Sequence, residues 1–138
     1  MSTELVELRS FYADPGFLLL ARDHDGDPIG CVGIRALDAT TGEVRRLFVR
    51  PAHRSAGQGR RLLTEATTLA QERGFTRLVL NTLSSMTSAQ KLYADDGYLP
   101  VAPYVAEPVT GVHYFGLNIG GEKRLDPGPV QARRVDPG

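Results

Sequence analysis

The order of apolar and polar positions predicts a chain in which strands and helices alternate. Apolar residues return every three or four positions across residues 58–73, the period of an amphipathic helix, and Gly74 follows as its C-terminal cap. A second helix is predicted from Thr87 to Gly97, with Thr87 and Gln90 at the spacing of a capping box. Short apolar or alternating segments predict strands at residues 17–23, 28–37, 43–49, 77–82, 98–102 and 113–119.

The two ends of the chain differ from this pattern. Residues 3–12 carry Leu5, Leu8 and Tyr12 at helical spacing and precede a Pro-Gly stop signal, so a short amphipathic helix is predicted there. Residues 120–138 are rich in Gly, Pro, Asp and Arg with little to bury, which predicts a flexible tail. Residues 1–119 are then expected to form one α/β domain, because 138 residues are too few for two independent cores.

Charge and cysteine content exclude several classes of function. Sixteen basic and sixteen acidic side chains cancel, so no net field is expected to attract nucleic acid or an anionic membrane. One cysteine excludes an intrachain disulfide framework, and no signal peptide is recognisable. The apolar run at 17–21 is too short to span a bilayer, and the three histidines lack metal-ligand spacing. A soluble cytoplasmic protein with no metal is the expectation.

The turn between the strand at 43–49 and the long helix has the features of an anion-binding loop. Gly57 and Gly59 permit close backbone approach, and the first N–H groups of the helix point outward without an intrahelical partner. A pyrophosphate fits this arrangement. The loop lacks the third glycine of a dinucleotide fingerprint and the Gly-Lys-Ser/Thr of a Walker A loop, so both are disfavoured.

Two motifs in this order resemble those of the GNAT superfamily of N-acetyltransferases. Arg54, Gly57 and Gly59 form Arg-x-x-Gly-x-Gly, which is similar to the pyrophosphate loop of that family. Residues 89–98 are similar to its second motif, Ala-x-x-Leu-Tyr-x-x-x-Gly-Phe/Tyr. The resemblance, which extends over residues 17–119, implies a mixed, splayed central sheet flanked by helices. It also implies that the first strand and most of the first helix of the family would precede this amino terminus.

The resemblance implies direct transfer of acetyl from acetyl-CoA to a primary amine of a small molecule or peptide, in a ternary complex. The pKa of a lysine-like amine is about 3 units above pH 7, so presenting its neutral form costs about 4 kcal/mol without a base. Glu43 lies where some members place a catalytic glutamate; the alternative is a strand-start charge or a partner for Arg45. Tyr93, at the tyrosine position of the family, is expected to protonate the departing thiolate; the alternative is a tyrosine that only packs its helix.

The same resemblance implies which residues hold the coenzyme. The backbone of Leu47 and Val49 would pair with pantetheine. Alternation along an unbroken strand places both on the same side as Glu43 and Arg45. The pyrophosphate would be bound by Arg54, Ser55, Ala56, Gly57, Gln58, Gly59 and Arg60.

Other contacts depend on where this chain departs from the family. An asparagine often stands where this chain has Met86, so Ser88 or Asn81 is expected to replace its contact with the coenzyme. Tyr104 and Arg45 are candidate contacts for the acceptor. Arginines at 45, 46, 50 and 54 could form a basic rim for coenzyme phosphates or an acidic acceptor, or a solvated strand edge.

Two further hypotheses concern the whole protein. A module of the same fold that binds an acyl-CoA without transferring it, as a sensor or interaction subunit, is the alternative to an enzyme. A homodimer could complete an acceptor side left open by the missing amino-terminal elements. The partners expected otherwise are the amine acceptor alone, with no nucleic acid and no membrane.

Overall fold

The computed structural model of this chain describes residues 4–8, 12–54 and 57–120. Within them, strands forming one sheet are interrupted by two α-helices and a 3-10 turn at Pro51–His53. The strands are β1 (Glu4–Leu8), β2 (Phe17–Arg22), β3 (Pro28–Ala36), β4 (Thr41–Val49), β5 (Arg77–Leu83), β6 (Leu99–Pro100) and β7 (Val112–Asn118). The helices are α1 (Gln58–Glu72) and α2 (Thr87–Asp95).

The sheet is mixed and splayed, as predicted. Its order is β1-β2-β3-β4-β5-β7-β6, and all neighbouring strands are antiparallel except β4 and β5, which are parallel. β4 and β5 pair at three positions, from Thr41 opposite Arg77 to Glu43 opposite Val79. Beyond Glu43 the two strands separate, which opens the middle of the sheet.

A bulge in β4 changes which side its residues face. Cys31 pairs with Phe48 and Gly33 with Arg45, so β4 holds one residue more than β3 between these pairs. Arg46, inside the bulge, has a left-handed φ of 58°. Val44 and Val49 both enter the core although they are five residues apart. The predicted unbroken alternation is therefore wrong: Val49 does not share a side with Glu43, because the bulge shifts the strand by one residue.

The core lies between α1 and strands β2 to β5. Leu62, Leu63, Ala66 and Ala70 of α1 are fully buried, as their helical spacing predicted. They pack among buried strand side chains such as Val32 and Leu78, in the main hydrophobic cluster. Burying each leucine contributes roughly 1.5 to 3 kcal/mol, so this face of α1 fixes the helix on the sheet.

The helix predicted for residues 3–12 is wrong for residues 4–8, which form β1. The strand pairs with β2 along its whole length, and Glu7 also reaches Arg73 at the end of α1, with both carboxylate oxygens 2.7 Å from Nη2. These contacts outweigh a weak helical spacing, since propensity is easily overridden by tertiary pairing. The resemblance implied that the first strand of the family would precede this amino terminus. In the structure, β1 occupies the edge of the sheet beside β2.

Smaller predictions about element ends had mixed outcomes. Gly74 and Gly97 adopt positive φ at the ends of α1 and α2, as expected for C-caps. The predicted capping box is wrong: Thr87 is inside α2, and the Gln90 amide donates instead to the carbonyl of Leu83 at 2.8 Å. β6 has two residues rather than the five predicted, since Pro100 cannot donate a ladder hydrogen bond.

Residues 121–138, predicted to form most of a flexible tail, lie outside the described residues. The boundary of the domain at residue 119 therefore stays a prediction. No helix in the described part of the chain is long and apolar enough to cross a membrane.

Candidate active site

The separation of β4 and β5 opens a cleft of about 530 Å³. Its walls come from β4, β5 and α2, and several predicted site residues line it. Those are Glu43, Arg45, Leu47 and Tyr93, together with Arg46, Asn81, Thr82 and Met86. The structure thus brings both predicted catalytic side chains to one cavity, although they are 50 residues apart in the sequence.

Glu43 lies at the closed end of this cleft and is surrounded by donors. The residue is 2% exposed. Its Oε1 accepts hydrogen bonds from Arg35 Nη2 at 2.8 Å and Arg45 Nη1 at 3.1 Å. Its Oε2 accepts from the Tyr104 hydroxyl at 2.7 Å and Asn81 Nδ2 at 3.4 Å. Because both oxygens are engaged, Glu43 can accept a proton from a ligand only if one of these donors moves.

Tyr104 connects the loop between β6 and β7 to the floor of the cleft. Its hydroxyl donates to Glu43 and accepts from Asn81 Nδ2 at 3.1 Å, and its ring meets Tyr114 edge-on at 5.4 Å. Burial, followed by the hydrogen bond to the Glu43 carboxylate, raises the pKa of Tyr104 well above its usual range. The Tyr104 hydroxyl therefore stays protonated. Tyr104 was predicted to contact the acceptor, and in this structure its hydroxyl contacts Glu43.

Tyr93 lies on the α2 wall of the cleft. The residue is 7% exposed, and its ring packs against that of Tyr98 at 5.6 Å. Burial raises the pKa of the Tyr93 hydroxyl. A buried hydroxyl that keeps its proton and borders a cleft can act as a hydrogen-bond donor or an acid.

The turn predicted to bind an anion stands at the outer end of β4. Gly57 has a φ of +77°, and a Cβ added to it would meet no atom within 4 Å. Gly59 lies within α1, where an added Cβ would make ordinary contacts of 3.5 Å with Leu92 and 3.8 Å with Val49. The requirement for positive φ therefore applies to Gly57 and not to Gly59.

The charged residues of the turn are engaged within the protein. Arg54 Nε donates to the carbonyl of Val49 at 2.7 Å, and its guanidinium lies 5.5 Å from the centre of the Phe48 ring. Arg60 pairs with Asp95 of α2 at 3.6 Å. Ser55 and Ala56, predicted to bind pyrophosphate, lie outside the described residues.

Two predicted coenzyme contacts have different positions in the structure. Asn81 lines the cleft, whereas Ser88 is exposed on the first turn of α2 and is not among the residues that border it. Gln58 begins α1 beside Gly57, at the end of the helix where N–H groups point outward.

Arg35 and the bulge at Arg46 were missed from the sequence. Arg35 stands opposite Glu43 in the β3–β4 pairing, and the turn between these strands is fixed by Asp38, whose Oδ1 accepts from the N–H groups of Thr40 and Thr41. Counting residues across that turn could have found Arg35. The bulge has no such sequence signal, because arginine rarely adopts a positive φ and so does not predict one.

Metal ligands do not gather in the described ranges. Across residues 4–8, 12–54 and 57–120, no group of three His, Cys, Asp or Glu side chains is arranged to hold an ion.

Comparisons with known proteins agree with the geometry. Residues 2–98 match the family model described as Acetyltransferase (GNAT) family. An N-acetyltransferase of Schizosaccharomyces pombe, itself uncharacterised, is 31% identical over 81% of this chain and 69% of its own length. An IAA acetyltransferase of Azospirillum brasilense is 32% identical over 79% of this chain and 73% of its own. A GNAT family acetyltransferase from Elizabethkingia anophelis, solved with acetyl-CoA bound, has the same fold, with a TM-score of 0.69 and 20% identity over 84% of this chain and 97% of its own.

Proposed function

Because this chain belongs to the GNAT acetyltransferase family, we propose that it transfers an acetyl group from acetyl-CoA to a primary amine of a small molecule or peptide. The observation that carries the proposal is the cleft between β4 and β5, with a protonated, buried tyrosine on one wall and a buried glutamate at its closed end. That combination fits an acyl transfer that must protonate a leaving thiolate and deprotonate an amine.

Acetyl-CoA is proposed to bind on the open side of β4 and at the start of α1. Its pyrophosphate is placed at the N-terminus of α1, where Gly57 leaves open space and the helix dipole favours an anion. Pantetheine follows β4 past Val49 and Leu47 toward Tyr93. Arg54 holds the Val49 carbonyl, so pantetheine pairing at that carbonyl requires this arginine to turn away.

In the proposed reaction the amine nitrogen attacks the thioester carbonyl. The C–N bond forms as the C–S bond breaks, and the thiolate takes a proton from Tyr93, which solvent then restores. The ammonium loses one proton before attack, and Glu43 accepts it when Tyr104 or Asn81 gives up its hydrogen bond. The second N–H proton passes to solvent as the amide forms. Both steps take place in one ternary complex without an acetylated enzyme.

A calorimetric titration with acetyl-CoA tests the binding half of the proposal. We expect micromolar binding that Gly57→Val abolishes, because a β-branched residue fills the cradle and is strained at φ +77°. Gly74→Val is the matched control: Gly74 has a φ of +94°, an added Cβ there also meets nothing within 4 Å, and it lies at the far end of α1. Equal loss of binding in both variants would mean that strain, not the loop, is responsible.

Release of coenzyme A in the presence of amines, peptides and aminoglycosides tests the transfer half. Acceleration by any acceptor supports the enzyme. Binding of acetyl-CoA with no acceleration by any acceptor would instead support a non-catalytic module that senses an acyl-CoA.

A further inference from the structure

The closed end of the cleft carries more positive than negative charge. Arg35 and Arg45 both contact one oxygen of Glu43, and Arg46 lines the same cleft. Glu43 is the single carboxylate among the residues described as lining it. The chain as a whole has equal numbers of acidic and basic residues, so the excess of positive charge in the cleft is local to the site. A local positive charge favours binding of an anionic ligand.

Arg45 is placed to bind such a ligand. It gives one nitrogen to Glu43 Oε1, an oxygen that Arg35 shares, and also interacts with the Tyr12 hydroxyl. A guanidinium has five N–H donors in a planar fork, so these contacts use a minority of them. The side chain of Arg45 is 41% exposed and borders the cleft. A second carboxylate can therefore approach the fork without displacing Glu43.

Arg46 supplies an independent observation. It holds a φ of 58°, a conformation that arginine rarely adopts and that glycine would adopt without strain. Its Nε donates to the Tyr12 hydroxyl at 3.1 Å, which fixes the side chain beside Arg45. Backbone strain of this kind clusters at functional sites, and at this position the side chain is a second guanidinium bordering the same cleft.

The phosphates of the coenzyme do not account for Arg45. The proposed pyrophosphate site follows Val49, which is four residues after Arg45. Because Arg45 pairs with Gly33 and Val49 with Gly30, β4 advances by three residues of β3 over this stretch, so Arg45 lies about 10 Å back toward the closed end. The charge excess is at the end of the cleft where acetyl would meet its acceptor.

We propose that the acceptor is a small amine that also carries a carboxylate, such as an amino acid, and that Arg45 and Arg46 bind this carboxylate while Arg35 holds Glu43. This inference rests on the proposed acetyl transfer and names the substrate class for the same site. The carboxylate orients the acceptor, so that its amine points toward the acetyl group and Tyr93.

Matched acceptors test the inference with the wild-type protein. Coenzyme A release is measured with two carboxylates, leucine and 4-aminobutyrate. Leucinamide and 3-methylbutylamine are the counterparts of leucine without a carboxylate, and butylamine is the counterpart of 4-aminobutyrate. All acceptors are compared at equal concentrations of the neutral amine, because a carboxylate alters the amine pKa. We expect kcat/KM to be at least about tenfold higher for the carboxylates, the size of one charge-assisted hydrogen bond. An equal or faster reaction of the acceptors without a carboxylate would overturn the inference and leave acetyl transfer standing.

Variants identify the residues responsible. In Arg46→Gly, which relaxes the bulge, and in Arg45→Gln, the ratio of kcat/KM for each carboxylate to kcat/KM for its counterparts without a carboxylate should fall toward one. Arg77→Gln is the control, since Arg77 is an exposed arginine at the start of β5 that does not border the cleft, and the ratio should persist. A ratio unchanged in both cleft variants would contradict the assignment. Acetyl-CoA binding with no release by any acceptor would remove the proposed transfer and this inference together.

Discussion

Tyr93 and Tyr98 are in ring contact, yet their hydroxyls have different surroundings. Tyr93 borders the cleft, whereas Tyr98 is 3% exposed and its buried hydroxyl has no hydrogen-bond partner in the part of the chain that the structure describes. Burial raises the pKa of both. Two similar side chains thus offer a test of which hydroxyl is used.

Replacing Tyr93 with Phe should lower kcat by about 10²-fold, at the low end for general acid catalysis, with little change in the KM for acetyl-CoA. The raised pKa keeps the hydroxyl protonated to higher pH, so loss of wild-type kcat through Tyr93 ionisation should occur above pH 10. Steady-state pH profiles of both proteins measure this. An unchanged kcat in Tyr93→Phe would remove the residue from the mechanism.

Tyr98→Phe is the matched control for that experiment. It deletes a hydroxyl from the same pair of rings, but one that makes no hydrogen bond within the described residues. Relieving a buried, unsatisfied group should raise the free energy of unfolding by about 1 kcal/mol and leave kcat unchanged. A loss of activity equal to that of Tyr93→Phe would indicate disturbed packing rather than lost acid catalysis.

Among the elements, those with a strong local signal were predicted from the sequence and those that depend on distant contacts were not. The apolar stripe of α1 and the runs at 17–23 and 77–82 match α1, β2 and β5 to within about a residue at most boundaries. The spacing of residues 3–12 predicts a helix where β1 forms, because the pairing of β1 with β2 and its contact with Arg73 are long-range and leave no local signal.

For the candidate site, the sequence motifs predicted a turn at Gly57, where the structure has a positive φ, and a tyrosine of α2, which borders the cleft. They did not reveal the donors around Glu43, because Arg35, Asn81 and Tyr104 arrive from three different segments. The bulge at Arg46 was also missed. The side of the sheet on which Val49 lies was therefore predicted wrongly.

The pair Glu7 and Arg73 fixes β1 to the end of α1, and we predict a measurable coupling. Both side chains are 20% exposed, and the guanidinium also lies 5.1 Å from the centre of the Phe17 ring. A double-mutant cycle with Glu7→Gln and Arg73→Gln in urea should give a coupling of about 1 to 2 kcal/mol.

A second pair on β1 provides the comparison. Glu4 and Arg22 approach to 3.1 Å, but their side chains are 64% and 35% exposed, so solvent screens them. Their cycle should give about 0.5 kcal/mol or less. Equal couplings for the two pairs would contradict the role given to burial.

At the scale of the whole molecule, the sheet consists of two parts joined by a short stretch of backbone pairing. Strands β1 to β4 form one antiparallel part and β5 to β7 the other, with three paired positions and the α1 connection between them. A ligand lying between β4 and β5 would contact both parts and should stabilise them together.

We therefore predict that acetyl-CoA stabilises the fold and protects the facing strands. At about 100 times its Kd, it should add about 2.7 kcal/mol to the free energy of unfolding. Hydrogen exchange should slow most at the amides of residues 44–49 and 80–83. Slowing confined to β1 and β2, far from the cleft, would argue against binding between β4 and β5.

The three-residue pairing of β4 with β5 also has a consequence for solubility. Strand edges on the outside of a protein invite pairing with other molecules and lead to aggregation. Here the backbone of β4 beyond Glu43 is left without β5 on an interior edge, beneath α2 and beside Tyr93. The interior position separates these backbone groups from other protein molecules, and under the proposed function it keeps them for the extended pantetheine of acetyl-CoA.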